Sequence, residues 1–313
     1  MAKTPRELEV QQIEISQNST PTRDIPKSIL RALQCRMTIN HTNGATVSGW
    51  TIDALLNLMS DVEFILNGQD VVHKVPLAFF FYQNFYDNGG VSSYTVDVTT
   101  SSNAISIVDF DINFANSRSI SPDDTLMDLR SGISTAVLKT SFGAITATGV
   151  TFDSGTVEVC SDEYMYDASE NSDMANKVRG RYETVYTQKT ISTTGANDLE
   201  LSVGAFNEYK RLFIETKNGS GVRSDSIIDK IEIFSGALTF VKKNADLIKT
   251  RNALDYGIAP ASLLTGIYVI DLTRLGKMTQ RLVTSQLSEL KLRLNAIATG
   301  AVRIFAEKAI YGG

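Results

Sequence analysis

The chain has 313 residues, of which 42% are hydrophobic and 21% are charged, and its formal net charge at pH 7 is −5. This length indicates about two domains, the apolar content suffices for two packed cores, and the mixed charges exclude a disordered chain. Without clusters of Lys and Arg we expect no nonspecific or sequence-specific binding of nucleic acid, and without 18 consecutive apolar residues we expect no membrane-spanning helix.

Residues 1–25 are predicted to form an N-terminal arm. Thr4-Pro5-Arg6-Glu7 has the spacing of a capping box with proline at the first helical position, which indicates a short helix. The charges of the arm nearly cancel, so any contact with lipid would use its apolar side chains. These side chains are Leu8, Val10, Ile13 and Ile15. The segment has no signal-peptide core, and we therefore expect no Sec-dependent export.

From residue 26 onward the pattern is mostly that of β-strands. Short runs alternate apolar and polar residues, as in 156–160 and 289–297, and turns rich in Gly, Asn, Asp and Ser separate them. About eight such runs lie in each half of the chain, which is typical of an eight-stranded sandwich. The pattern predicts an all-β protein with two β-sandwiches in tandem.

A few short helices and one linker interrupt the strands. Residues 51–59 have an i, i+3, i+4, i+7 apolar stripe, and weaker helical patterns cover 244–254 and 279–287. Residues 166–182 are polar, charged and without alternation, as expected of a linker. We therefore predict an arm (1–25), a first sandwich (26–165), the linker and a second sandwich (183–313).

Four pairs of short segments occur in the same order in the two halves. They are 37–44 with 212–219, 62–64 with 231–233, 83–89 with 251–257, and 154–159 with 299–304. Their separation is far longer than the period of about 20–50 residues in solenoid repeats, so it indicates a duplicated domain.

The residues that could form a catalytic or metal site show no suitable spacing. The two histidines, His41 and His73, belong to no HxH or HExxH motif, and the two cysteines, Cys35 and Cys160, form no CxxC motif. Two buried free thiols are the favoured interpretation, and a disulfide between the two cysteines is the alternative. Phosphate-binding loops and a nucleophile elbow are also absent from the sequence. We expect no catalytic, cofactor-binding or metal-ligating residue, and no enzyme.

Three pairs of neighbouring carboxylates are candidate sites: Asp109 with Asp111, Asp123 with Asp124, and Asp162 with Glu163. The first pair would project from one side of a strand, where it could bind calcium or act as a glycosidase-like pair. Strand surfaces carry such acids routinely, so an ordinary surface role is favoured.

An aromatic run is the most apolar part of the chain. It comprises Leu77, Ala78, Phe79, Phe80, Phe81 and Tyr82, followed by Phe85 and Tyr86. We interpret it as a strand, with half of its side chains in the core and the rest at a subunit interface. The single tryptophan, Trp50, is expected to be a packing anchor.

The paired segments, together with the stretch from Ile25-Pro26 through Asn67-Gly68, resemble double jelly-roll major capsid proteins of icosahedral phages with an internal membrane. In size and layout the chain is most similar to that of the Flavobacterium-infecting lipid-containing phage and its finnlakevirus relatives. The resemblance implies tandem eight-stranded jelly-roll β-sandwiches with a few short helices and an N-terminal arm.

The resemblance also implies a function as a structural virion protein. Three chains would form a homotrimer with six similar lobes, a pseudo-hexagon that tiles an icosahedral shell. Partners would be neighbouring capsomers and other virion proteins, with a weak contact of the arm, through Leu8, Val10, Ile13 and Ile15, to an internal lipid membrane. The chain would be located in the capsid shell of the virion and assembled in the host cytoplasm.

Other functions remain open. A spike or penton protein usually has a single jelly roll, and a carbohydrate-binding or adhesin sandwich usually displays aromatic platforms, whereas this chain has one Trp. A sandwich enzyme is the least favoured alternative because no catalytic constellation is found.

Overall fold

The computed structural model describes residues 4–115, 125–130, 132–165, 180–204, 207–273 and 281–311. Its contacts divide the chain into one unit that extends to Arg181 and a second unit that begins at Tyr182, and Tyr86–Gly90 group with the second. Within the described residues, no helix is both long and apolar enough to cross a membrane.

The first unit contains two antiparallel sheets. Its elements are β1 (Thr4–Ile15), β2 (Thr22–Asp24), β3 (Ile29–Ser48), α1 (Ile52–Leu58), β4 (Met59–Leu66), β5 (Asp70–Val75), α2 (Leu77–Asp87), β6 (Tyr94–Thr95), β7 (Ser101–Asn113), β8 (Met127–Asp128), β9 (Ala136–Phe142) and β10 (Thr148–Met165). One sheet has the order β1-β10-β3-β7-β6, with β8 paired to β3, and β5, β4, β9 and β2 lie side by side in the other.

The second unit also contains two sheets. Its elements are β11 (Gly180–Ile191), β12 (Gly195–Glu200), β13 (Glu208–Asn218), β14 (Ile228–Ser235), β15 (Leu238–Asn244), α3 (Ala245–Tyr256), a 3-10 turn (Pro260–Ser262), β16 (Ile267–Asp271), β17 (Lys291–Ala296) and β18 (Gly300–Tyr311). The sheet orders are β16-β13-β18-β11 and β12-β17-β14-β15. Alternate residues of β14, β17 and β18 point into one core, among them Ile231, Ile233, Leu292, Leu294 and Ile304.

The two units have the same topology. Without the short strands β6 and β8, eight strands of the first unit are described, and one sheet contains the first, eighth, third and sixth of them in that spatial order. Its second sheet contains the second, seventh, fourth and fifth, and the second unit repeats both orders. Two packed four-stranded sheets of this kind form a jelly roll, so the predicted all-β tandem jelly-roll fold is confirmed.

Three of the four matched segment pairs lie at equivalent places in the two units. They fall in the third strands β3 and β13, in the fourth strands β4 and β14, and at the ends of α2 and α3, which follow the fifth strands. The fourth pair lies in the equivalent strands β10 and β18 but in a shifted register. The first match aligns Thr216 with His41, and the fourth aligns Val302 with Val157. Thr216 pairs with Val302 in the second unit, but in the first unit His41 pairs with Phe152 and not with Val157.

Each jelly roll uses one asparagine to attach its helix to the sixth strand. Asn84 Nδ2 in α2 donates to the carbonyl of Asp111 at 3.2 Å, and the Asp111 N–H donates to Asn84 Oδ1 at 2.6 Å. Asn252 in α3 repeats this with Val269, at 2.7 and 2.9 Å. Because β16 is the last strand of its sheet among the described residues, the Asn252 amide satisfies main-chain groups that no strand pairs.

Replacing Asn252 with alanine should destabilise the second unit. The amide and carbonyl of Val269 would lose their partner in a buried position, and each unsatisfied group costs about 1–3 kcal/mol. We expect the free energy of unfolding in denaturant to fall by at least about 2 kcal/mol. Asn295→Ala is the control, since it removes only an exposed bond to Asp229, and an equal effect of both variants would contradict the proposed role.

The N-terminal residues are a strand and not a helical arm. β1 pairs with β10 along residues 4–15, and Val10, Ile13 and Ile15 are buried in the core, while Leu8 is exposed. The helix prediction was wrong because a capping box is a local preference, and alternate apolar residues that meet Val157 and Val159 in β10 outweigh it. Val10, Ile13 and Ile15 are therefore unable to contact a membrane as the arm was expected to do.

The aromatic run is a helix and not a strand. All eight side chains of the run in α2 are at most 4% exposed, so the prediction that half of them form a subunit interface was wrong. A helix that is apolar on all sides must be buried on all sides, and such a run has neither a helical nor a strand period.

Two of the other three helix predictions are confirmed, whereas the predicted linker lies largely outside the described residues. The helices predicted at 51–59 and 244–254 are confirmed as α1 and α3. Gly257, whose φ of 67° is left-handed, caps the C-terminal end of α3. Residues 281–287 form no helix, and 274–280 lie outside the described residues, as do 166–179 of the predicted linker. Residues 180–182 of that linker belong to β11.

Candidate functional site

A buried polar cluster surrounds His41 in the first unit. The side-chain amide of Asn43 donates to the carbonyls of Asp97 and Thr99, at 3.0 and 2.9 Å. Its oxygen is therefore an acceptor, and His41 Nδ1, at 2.9 Å from it, must carry the proton. The arrangement assigns the Nδ1–H tautomer to His41, which is fully buried.

Ser106 completes the cluster. Its hydroxyl lies 2.9 Å from Nε2 of His41 and donates to that nitrogen. The same oxygen accepts from Trp50 Nε1 at 3.1 Å and from the Asp97 N–H at 3.2 Å. The Ser106 hydroxyl thus uses its one donor and both of its acceptor positions, so it can form no further hydrogen bond to a ligand. His41 is a satisfied structural histidine, and Trp50 is confirmed as a packing anchor.

His73 has a structural environment as well. It is buried, with its ring 5.8 Å from that of Phe80, edge-on, and 5.7 Å from that of Phe114. In the part of the chain that the structure describes, no group of three or more His, Cys, Asp or Glu side chains could hold a metal ion.

Three carboxylates of these pairs, Asp109, Asp162 and Glu163, form ion pairs with arginine. Asp109 accepts from Arg36 at 2.7 and 3.1 Å and from Ser93 at 2.6 Å. Burial raises the pKa of Asp109, but these hydrogen bonds outweigh it and hold the pKa below its usual value. The pKa of Asp111 is raised by burial and by the charges of Asp109 and Asp162. Because the pKa values of these two carboxyls shift in opposite directions and Asp109 is bound to Arg36, Asp109 and Asp111 do not form a paired site for calcium.

The carboxylates of Asp162 and Glu163 are also bound to arginine side chains. Asp162 accepts from Arg31 at 3.1 Å, and buried Glu163 accepts from Arg6 Nε at 2.7 Å. Asp123 and Asp124 lie outside the described residues.

The two cysteines have free thiols. Cys35 lies opposite Val159 and is buried, whereas Cys160 lies opposite Gln34 on the other, partly exposed face of the sheet. Side chains on opposite faces of a sheet cannot form a disulfide. Burial raises the pKa of both thiols, and the pKa of Cys160 is raised further by the nearby acidic side chains, Glu9, Glu158 and Glu7.

A buried ion cluster in the second unit was missed by the sequence analysis. Arg211, 1% exposed, donates to Asp87 at 2.5 and 3.0 Å and to Glu307 at 2.5 and 2.9 Å. Lys210 Nζ lies 3.8 Å from Glu307, and burial lowers the pKa of Lys210. A signal was present in β13, where Lys210 and Arg211 directly precede the apolar run Leu212–Ile214; every residue from 208 to 216 is buried.

Two open clefts in the second unit each include an ion pair among their lining residues. One, of about 550 Å³, includes the ion pair Lys249–Asp225 at 2.7 Å, and the other, of about 330 Å³, includes Arg251–Asp255 at 3.1 Å. Their described lining residues include no histidine and no cysteine.

Two edge strands, β1 and β15, carry exposed charged residues. Residues 5–9 of β1 are all exposed and include Glu7 and Glu9. In β15 no residue is buried, and the exposed Lys242 and Lys243 stand near its end. On the outer face Lys242 is 3.8 Å from Glu232, which Lys230 also contacts. One edge is therefore acidic and the other basic.

Residues 183–309, most of the second unit, match the family model of the viral coat protein P2 C-terminal domain. No curated protein sequence matches the chain. Among solved structures, the chain is similar to the major capsid protein of Sulfolobus Turreted Icosahedral Virus, with a TM-score of 0.82 and 12% identity over 98% of this chain and 97% of that one.

Two further capsid structures show the same likeness. The major capsid protein P2 from bacteriophage PM2 has a TM-score of 0.67 at 12% identity, over 99% and 98% of the two chains. VP54 of PBCV-1 has a TM-score of 0.71 at 11% identity, over 98% and 94%. The fold is thus the one found in these proteins, and the resemblance to double jelly-roll major capsid proteins is confirmed. The narrower likeness to the Flavobacterium-infecting phage stays a prediction.

Proposed function

We propose that this chain is a major capsid protein, a structural protein of the virion whose homotrimers tile an icosahedral shell around an internal membrane. The observation that carries the proposal is the repeated jelly roll, with identical sheet orders in both units, together with the coat-protein match of the second. The candidate side chains of His41, Asp109, Asp162 and Glu163 are engaged in structural contacts, which supports a role in shape rather than in a reaction.

The geometry of a shell explains why two jelly rolls in one chain would be useful. Three copies supply six similar lobes, so an object with threefold symmetry can occupy a lattice position that is nearly sixfold. We take the first jelly roll as residues 4–165, including the strand at its N-terminus, and the second as residues 180–311. A spike or penton protein would need one such lobe.

The chain would lie in the capsid shell after assembly in the host cytoplasm, and it would contact neighbouring capsomers and other virion proteins. A contact with the internal membrane would have to use exposed residues, and of the four apolar side chains expected to make it, Leu8 alone is exposed, at 42%.

Native mass spectrometry of the purified chain tests the function. We expect a trimer as the smallest stable species, because a shell tile that presents six lobes requires three copies. A chain that is monomeric at every salt concentration would contradict the proposal. Glycan binding by such a monomer would favour an adhesin instead.

A further inference from the structure

We propose that the edge of β1 in one copy binds the edge of β15 in a second copy, and that this contact closes the trimer. The inference rests on the proposed function and identifies the surfaces through which copies associate. β1 pairs with β10 on one side and β15 pairs with β14 on one side, and in the described part of the chain no strand pairs with their other sides. Open strand edges present unpaired N–H and C=O groups that can bind another strand.

Other edges of the described sheets are short or have main-chain groups bonded to side chains. β2 and β6 have three and two residues, and Asn252 occupies main-chain groups of β16. Lys189 donates to the Asp198 carbonyl in β12, and Arg23 donates to the Gln12 carbonyl in the second half of β1. Residues 4–10 of β1 and the whole of β15 thus remain as open edges of equal length, because β15 has seven residues.

Their charges favour pairing between unlike edges. Glu7 and Glu9 are exposed on one face of β1. Glu158 lies near them, because all three carboxylates raise the pKa of the Cys160 thiol. Lys242 and Lys243 are exposed in β15, and the side chain of Lys242 is 59% exposed. Two β1 edges would bring acids together and two β15 edges would bring lysines together, so like pairs repel and the unlike pair attracts.

A contact between unlike surfaces does not saturate in a dimer. Such a heterologous contact forms a ring if the rotation between copies closes, and otherwise a filament. β1 belongs to the first jelly roll and β15 to the second, so each contact joins the second jelly roll of one copy to the first of the next. Closure after three copies alternates the two kinds of lobe around the ring, as the proposed trimer requires.

Charge reversal tests the pairing. At low ionic strength, where screening is weak, E7K/E9K and K242E/K243E should each raise the protein concentration at which trimers dissociate by about tenfold or more. The quadruple variant E7K/E9K/K242E/K243E should restore trimers, because both charges are exchanged. All these side chains are exposed, so circular dichroism should show unchanged folding. E14K, on β1 but beyond its open segment, is the matched control and should remain trimeric.

The outcomes separate this inference from the proposed function. A trimeric wild type whose two double variants remain trimeric would place the contact elsewhere and overturn the inference, with the capsid function unaffected. Two dissociated double variants that the quadruple variant fails to rescue would also overturn it, since the edges would not face each other. A wild type that never forms trimers would instead contradict the proposed function.

Discussion

Replacing Arg211 with methionine is expected to destabilise the second unit by about 3–5 kcal/mol, because the change leaves buried carboxylates without their cation. Arg211 is 1% exposed and makes two hydrogen bonds to Asp87 and two to Glu307. Lys210 is also near Glu307, but at 3.8 Å, and as a point charge it offers no planar fork for two carboxylates. The free energy of unfolding in denaturant measures the loss.

Two controls distinguish burial from charge in this prediction. Arg293→Met removes an ion pair with Asp198 in which both side chains are more than a third exposed, and it should cost much less than the change at Arg211. Arg211→Lys keeps the charge but not the geometry and should give an intermediate loss. If Arg211→Met costs no more than Arg293→Met, the buried cluster does not stabilise the fold.

Replacing Ser106 with alanine is expected to be the second severe change. The hydroxyl serves His41, Trp50 and the main-chain N–H of Asp97, and all these contacts lie in or beside the buried cluster. Each buried polar group without a partner costs about 1–3 kcal/mol, so the first unit should lose at least about 3 kcal/mol of stability. Ser102→Ala, an exposed site in the same strand, should have little effect.

Spectroscopy provides a second measurement for Ser106. The indole N–H of Trp50 would lose its acceptor, and because Trp50 is the single tryptophan, its fluorescence reports on this cluster alone. We expect a shifted emission maximum in Ser106→Ala and none in Ser102→Ala. An unchanged spectrum together with unchanged stability would show that the cluster is not held by Ser106.

Features with a local signature were predicted correctly. Alternating residues identify strands such as β17 and β18, and the apolar stripe at 51–59 identifies α1, because each depends on residues a few positions apart. The match of 83–89 with 251–257 was a match of sequence alone, and it marks Asn84 and Asn252, which make the same two hydrogen bonds in the two units.

Features that depend on distant partners were missed or misread. β1 carries the spacing of a helix start, but it is a strand because β10 supplies its partner, as in the pair of Arg6 with Glu163, 157 residues away. The aromatic run has no period, so its helical state follows from complete burial. Nothing near Arg211 in the sequence identifies Asp87, 124 residues away, as its partner.

The amino-acid sequence by itself determined that this protein is a duplicated all-β chain, since alternation and repeated order are written in neighbouring residues. Only the tertiary structure decided which strands lie side by side, which edges stay open, and which charges are buried. The physical reason is that side-chain pairing and burial depend on distance in space, and in antiparallel sheets of this topology residues more than 100 positions apart become direct neighbours.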